Sequence, residues 1–249
     1  VFKGIEGAVP FLHGSQGCAT YMRRYLISHF KEPVDIASSN FTEHTTIFGG
    51  EQNLKTGINN VIQAYHPKLI GLATTCLSET IGEDVKRMTA ELQSRGELND
   101  VPLVCVSSPS YSGTHINGFH KAVYETVKTL GKKNSPRNRI NLFTGYISPS
   151  DIRNVKEILS RFSQDYTLFP DYSETLDGVI WDSYNRIPEG GTPVDEIIIC
   201  ADALSSFEFG YTMDDESAGN YLEKAFGVKN HRMGYPIGVK ETDKFLEAL

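Results

Sequence analysis

Leu69-Ile70-Gly71-Leu72-Ala73-Thr74-Thr75-Cys76-Leu77-Ser78-Glu79 decides how this chain reads. Its first six residues are an apolar run without alternation, the pattern of a strand buried on both faces of a parallel sheet. A helix is expected soon after, so the run is the strand of a β-α unit, with Cys76 at the hand-over. In open α/β sheets, ligands bind beyond the carboxyl ends of the strands. A thiol at a helix N-terminus also has its thiolate favoured by the free backbone N–H groups, and thiolate is the form that binds metal.

A hand-over from a strand or loop to a helix also occurs earlier, at Gly14-Ser15-Gln16-Gly17-Cys18. Gly17 leaves the backbone beside this thiol without a Cβ, so a bulky group can come close. Cys18 and Cys76 therefore read as two ligands brought together by the fold. Free cysteine is also a common packing residue, and that reading stays open for both. Cys105, inside Leu103-Val104-Cys105-Val106, and Cys200, after Ile197-Ile198-Ile199, lie in apolar runs and read as core. A Cys–His nucleophile made of Cys18 and His13 lacks an orienting acid within the motif.

Strand-like and helical patterns alternate along the chain. Strands are expected at 34–38, 69–74, 102–106, 140–146, 166–169, 205–211 and 233–237. Helices are expected at 51–65, 82–96, 117–130, 149–162, from 192–193, at 214–226 and from 243 onward. Such alternation implies right-handed βαβ crossovers and mostly parallel sheets. The polar stretch 132–139 reads as a linker between two α/β domains, 1–135 and 136–249, and 176–191 as a long Gly/Pro-rich loop.

The 249 residues suffice for two domains with real cores. A net charge of −7 argues against nucleic acid as the main partner. No apolar run approaches the roughly eighteen residues needed to cross a bilayer. Four widely spaced cysteines fit a reducing cytoplasm better than a disulfide scaffold. No G-x-G-x-x-G opens a helix and no P-loop occurs, which speaks against a nucleotide site. The chain opens on Val1 and already reads as structured protein, so we expect a piece of a longer polypeptide. Arg23 and Arg24, after Cys18, and Glu43 and His44, before Gly49-Gly50, are weaker candidates for lining a site.

At its motifs the chain resembles component 1 of nitrogenase and its relatives, on the β-type side. The resemblance rests on His13 to Cys18 with Arg23 and His29-Phe30-Lys31-Glu32-Pro33, on Phe48-Gly49-Gly50 with Asn53 and Gly57, on Thr74 to Asp84, and on Ser108-Pro109-Ser110-Tyr111-Ser112-Gly113-Thr114-His115. It covers almost the whole chain. It implies Rossmann-like domains, of which this chain holds two and lacks the third. It also implies an α-type partner subunit in a heterotetramer and an iron–sulfur cluster (P-cluster-like or 4Fe-4S) shared with that partner. By the same resemblance, electrons are expected from an ATP-dependent iron protein reductase. By the resemblance, Cys18 and Cys76 bind the cluster and Ser110 ligates one of its oxidation states. The family's upstream cysteine has no counterpart before Cys18, which implies an incomplete ligand set and an empty site in this piece. Catalytic acid–base residues lie largely in the family's α-type subunit, so none is assigned here.

Two branches stay open. Cys76 with Ser110 looks like the catalytic subunit, because the scaffold that matures the iron–molybdenum cofactor loses the equivalent of Cys76 in its best-known forms. Asn141 to Pro149 and Phe169 to Gly178 look more like that scaffold's β-type partner. The expected output is therefore nitrogenase-type substrate reduction or cofactor biosynthesis. The alternative from another class is a metal-free structural or interaction fragment with packing cysteines.

Overall fold

The computed structural model describes residues 1–30, 32–179 and 185–249. Residues 180–184 of the expected loop and Lys31 of the His29–Pro33 segment lie outside the described residues. The first part of the chain runs β1 (Ala8–His13), α1 (Gln16–His29), β2 (Ala37–Ser38), α2 (Glu43–Phe48), α3 (Glu51–Tyr65), β3 (Leu69–Thr74), α4 (Cys76–Thr80), α5 (Val85–Ser94), β4 (Leu103–Val106) and α6 (His115–Leu130). The rest runs β5 (Arg139–Phe143), α7 (Pro149–Ser160), β6 (Asp165–Phe169), α8 (Val194–Ile198), β7 (Ser205–Phe209), α9 (Ala218–Phe226), β8 (Lys229–Met233) and α10 (Gly238–Ala248). Two parallel sheets result, ordered β2-β1-β3-β4 and β6-β5-β7-β8. The fold is α/β with parallel sheets, as the alternation implied.

Side-chain alternation sorts the first sheet into two faces. Val9 and Phe11 of β1 lie opposite Ile70 and Leu72 of β3, and these four pack with Leu54, Ile58 and Val61 of α3 and Val85, Met88 and Leu92 of α5. Ala8, Leu69, Val104 and Val106 point the other way and join Phe119, Val123 and Val127 of α6. That second cluster continues into Leu142, Phe207 and Phe209 of the other sheet, so α6 lies in a core common to both. Gly71 makes room on this face: a Cβ there would fall 2.1 Å from Cγ of Phe2. The chain start also ties the sheets together. Ile5 pairs with Thr192, and the Gly4 carbonyl accepts from Asp171 and Thr192.

Several boundaries differ from the sequence reading. The helix expected at 82–96 is α5 alone, because Gly82 turns at φ 78° and Asp84 caps the helix through the Arg87 N–H. β8 occupies Lys229–Met233 rather than 233–237. It is a polar, half-exposed edge strand with no apolar run to betray it, and Pro236 lies in the segment read as strand instead. β2 is two residues long rather than 34–38. β5 and β7 stop early, ahead of the left-handed turns at Gly145 and Gly210. α9 starts at Ala218 behind its Ser217 cap, and α10 starts at Gly238, five residues before the expected 243. The segment 132–139 is exposed but pinned, with Lys132 donating to Ile198 and Arg137 to Asp202.

The turn after β1 depends on Gly14. A Cβ at this residue would sit 1.9 Å from Oγ1 of Thr75 and 2.8 Å from its Cβ. Gly14→Ala should therefore force the β1 and β3 turns apart and cost about 1–3 kcal/mol, read as a lowered urea midpoint. Leu72→Ala, which opens a cavity between α3 and α5, should cost about 2–5 kcal/mol by the same measurement. Leu204→Ala, at a 57% exposed site, should leave the midpoint nearly unchanged.

Candidate functional site at the carboxyl edge of the first sheet

β1 and β3 are hydrogen-bonded neighbours with His13 opposite Thr74, so the turns that follow them leave the same edge side by side. After β1, Ser15 caps α1 and its Oγ accepts the Gly17 N–H at 3.3 Å, which sets Cys18 in the first helical turn. Cys18 is exposed, and a Cβ at Gly17 would meet only Ser15 Oγ, 3.6 Å away. After β3, the Thr75 N–H donates to Ser78 Oγ at 3.0 Å and α4 begins at Cys76, which is half-buried. Thr75 stitches the two turns together, donating its N–H (3.1 Å) and its hydroxyl (3.2 Å) to the His13 carbonyl.

The turn after β4 completes the rim. Ser110 Oγ lies 2.9 Å from Cys76 Sγ, and the Ser110 N–H donates to the same sulfur at 3.2 Å. Hydrogen bonding from the Ser110 side chain and then its backbone holds the Cys76 thiol below its ordinary pKa, outweighing the slight burial. The structure thus places Cys18, Cys76 and Ser110 on one sheet edge and brings the last two into direct contact. Among the described residues, no three His, Cys, Asp or Glu side chains gather in a group able to hold a metal.

The other cysteines separate from this pair. Cys200 is fully buried in a short 3-10 turn, and burial pushes its thiol up to about 12. Cys105 is half-buried rather than fully buried as expected, because it lies on the less covered face of the edge strand β4, opposite the buried Val104 and Val106; burial still raises its thiol to about 11. His13 is buried, with Nε2 3.4 Å from Glu83 Oε2 and its ring edge-on to Phe41. Burial lowers its pKa against the opposing pull of Glu83, whose other oxygen accepts the Gly50 N–H at 2.7 Å. That arrangement is a structural tie to the Gly49-Gly50 turn, and it engages the imidazole that a Cys18 nucleophile would need. Arg23 donates to the Val34 carbonyl and pairs with Asp35, while Glu43 and His44 lie exposed on α2.

Sequence reasoning gave no role to Glu79. One of its oxygens, Oε1, accepts from Thr74 Oγ1 at 2.5 Å and Ser107 Oγ at 2.6 Å. The available signal was an acid one helical turn after Cys76. Around the rim, α1 buries only Ala19 and exposes Tyr21, Met22 and Tyr25; Ile47, Phe48 and Tyr111 are exposed as well. A cleft of about 860 Å3 opens beside Ser107–Ser110, between the start of α6 and residues 214–216.

The model of the family described as nitrogenase component 1 type oxidoreductase matches residues 1–249. A nitrogenase molybdenum-iron protein beta chain from Clostridium pasteurianum is 37% identical over 248 residues, covering 99% of this chain and 54% of that protein. The nitrogenase iron-molybdenum cofactor biosynthesis protein NifN of a Nostoc species is 30% identical over 251 residues, covering all of this chain and 56% of its own length. A solved structure of nitrogenase Cp1 at pH 6.5 superposes with a TM-score of 0.94 at 34% identity, covering 99% of this chain and 54% of that one. The chain thus spans about half the length of these relatives. With its two parallel sheets and its paired cysteine turns, this chain belongs to the nitrogenase component 1 family, on the β-type side.

Proposed function

We propose that this chain, as part of its full polypeptide, binds an iron–sulfur cluster at an interface with an α-type subunit. It takes part there in electron transfer driven by an ATP-dependent iron protein. Cys18 and Cys76 are the metal ligands contributed from this side, and Ser110 is the oxygen donor beside them. The half spanning 1–135 carries the site and the half spanning 136–249 supports it. The observation that carries the proposal is the 2.9 Å approach of Ser110 Oγ to Cys76 Sγ on the edge that also bears Cys18.

The donor chemistry fits such a group. Thiolates are the usual ligands of iron–sulfur clusters, and potentials respond to hydrogen bonds on sulfur and to solvent exposure. When bound, the cluster supplies one-electron storage. The chain's own residues hold and shape the site: Ser110 directs an N–H at the Cys76 sulfur and, with its hydroxyl, favours the Cys76 thiolate, and Gly17 leaves the approach to Cys18 open. Two thiols are too few to hold several metal ions, so the remaining donors must come from elsewhere, and metal binding is coupled to assembly. The exposed aromatic face of α1, with Ile47 and Phe48 nearby, supports burial against a partner.

Between the two family outputs, Cys76 beside Ser110 favours nitrogenase-type reduction. The similarity to a NifN protein keeps cofactor biosynthesis as the second reading. Among the described residues no helix is long and apolar enough to cross a membrane.

In the full-length protein purified anaerobically with its partner, iron and sulfide should be present in stoichiometric amounts. Cys18→Ala or Cys76→Ala should remove or rearrange the cluster, and Cys200→Ala should leave the iron content unchanged. An iron-free wild-type complex would favour the metal-free interaction fragment. In the metal-free folded protein, the rate of iodoacetamide alkylation follows the thiolate fraction. Because its pKa is lowered, Cys76 should reach its plateau rate at a lower pH than an ordinary cysteine. Cys105 and Cys200, raised to about 11 and 12, should stay unmodified at pH 8 until urea unfolds the chain.

A further inference from the structure

Oε1 of Glu79 accepts two short hydrogen bonds, one from each of two strand ends. Thr74 is the last residue of β3, and Ser107 is the first residue after β4. The same two turns are laced again, with the Ser108 N–H donating to Thr74 Oγ1 at 3.0 Å and Ser108 Oγ donating to the Thr74 carbonyl at 2.9 Å. Glu79 itself is on α4, one helical turn beyond Cys76, while Ser110 lies two residues beyond Ser108. Glu79 therefore joins the helix bearing Cys76 to the loop bearing Ser110 through the Thr74 and Ser107 hydroxyls, independently of the Ser110–Cys76 contact.

We infer that Glu79 is a positioning residue that sets the Cys76–Ser110 separation by clamping the loop after β4 onto α4. The work is done by an acceptor oxygen at a fixed place. Hydrogen bonds to a carboxylate are shorter and stronger than neutral ones, and two on one oxygen leave the loop little room to drift. Without the clamp, Ser108 still ties the loop to β3, and what remains to hold it to α4 is the Ser110–Cys76 contact itself, whose length is then free to change. The importance of that distance for a bound cluster rests on the proposed function; the distance itself is a property of the chain and can be tested without metal.

The test uses thiol–disulfide exchange as a ruler in the full-length protein, stripped of metal by a chelator, with Cys18→Ser to remove a competing thiol. Ser110→Cys places a second thiol where Ser110 Oγ stands, 2.9 Å from the Cys76 sulfur. With oxidised glutathione, the two protein thiols lose two electrons and two protons, one intramolecular S–S bond forms, and one glutathione disulfide becomes two glutathione thiols. The equilibrium constant reports the effective concentration of one thiol at the other, and peptide mapping identifies the pair. Glu79→Ala in this background should lower the constant about tenfold or more. Glu79→Gln, which keeps an acceptor oxygen at that place, should hold it within about twofold. Ser107→Ala, which removes one donor and leaves the carboxylate, should fall between them and serves as the measurement if Glu79→Ala does not fold. An unchanged constant in a Glu79→Ala protein of native circular dichroism would overturn the inference, as would a Glu79→Gln value as low as that of alanine. Neither result bears on whether the wild-type complex holds iron, so the clamp and the cluster stand or fall separately.

Discussion

The parallel pairing of β1 with β3 is the constraint on which the site depends. The register that puts His13 opposite Thr74 also puts Val9 and Phe11 opposite Ile70 and Leu72 on the face packed by α3 and α5. A slip of either strand by one residue would turn its pair of these side chains to the other face. Each is worth about 1.5–3 kcal/mol when buried, whereas a hydrogen bond such as Thr75 to His13 nets about 1 kcal/mol. The apolar core thus fixes the height of the two strand ends, and the polar stitches at Gly14, Thr75 and His13 refine it. Packing energy is what makes two cysteines distant in sequence share an edge.

The two sheets treat that edge differently. Each has its topological switch point between its central strands, β1 and β3 in one and β5 and β7 in the other, where open α/β sheets leave a crevice. In the second sheet the crevice is filled: a Cβ on Gly145 would lie 2.7 Å from the Tyr235 hydroxyl and 3.0 Å from the Phe209 carbonyl oxygen. Burial pushes the Tyr235 phenol up to about 12, so it stays neutral and acts as filler. In the first sheet the corresponding position carries Cys18 and Cys76, with Ser110 reaching over from the neighbouring strand. The shared core around α6 leaves the second sheet to brace the first.

The parts of this architecture that were legible in the sequence follow from burial. β3 reads directly because its run is apolar on both faces, and α3 reads to the residue because Leu54, Ile58, Val61 and Ile62 repeat at helical spacing. Cys76 was legible at a strand end because β3 reads as a strand and a helix is expected beyond it; Cys18 was marked by its glycine-flanked motif, and the strand before it, β1, did not read as one. What stayed hidden was polar or long-range. β8 is a half-exposed edge strand whose identity comes from pairing with β7, and no local periodicity encodes that. Glu83 meets His13 from the far side of β3, and Glu79 meets Ser107 from another turn; in both cases only the folded chain supplies the partner. Cys105 missed full burial because it lies on the α3/α5 face of the edge strand β4, while Val104 and Val106 on the other face are covered by α6; strand order and face are not displayed in the sequence.

The central claim is that Cys18 and Cys76 are metal ligands rather than packing residues. Anomalous-diffraction maps of the full-length complex, recorded on either side of the iron absorption edge, test it most directly. The account predicts iron peaks within bonding distance of both sulfurs, next to Ser110 and against a partner subunit. Iron bound elsewhere, with both thiols surrounded only by carbon and water, would contradict it.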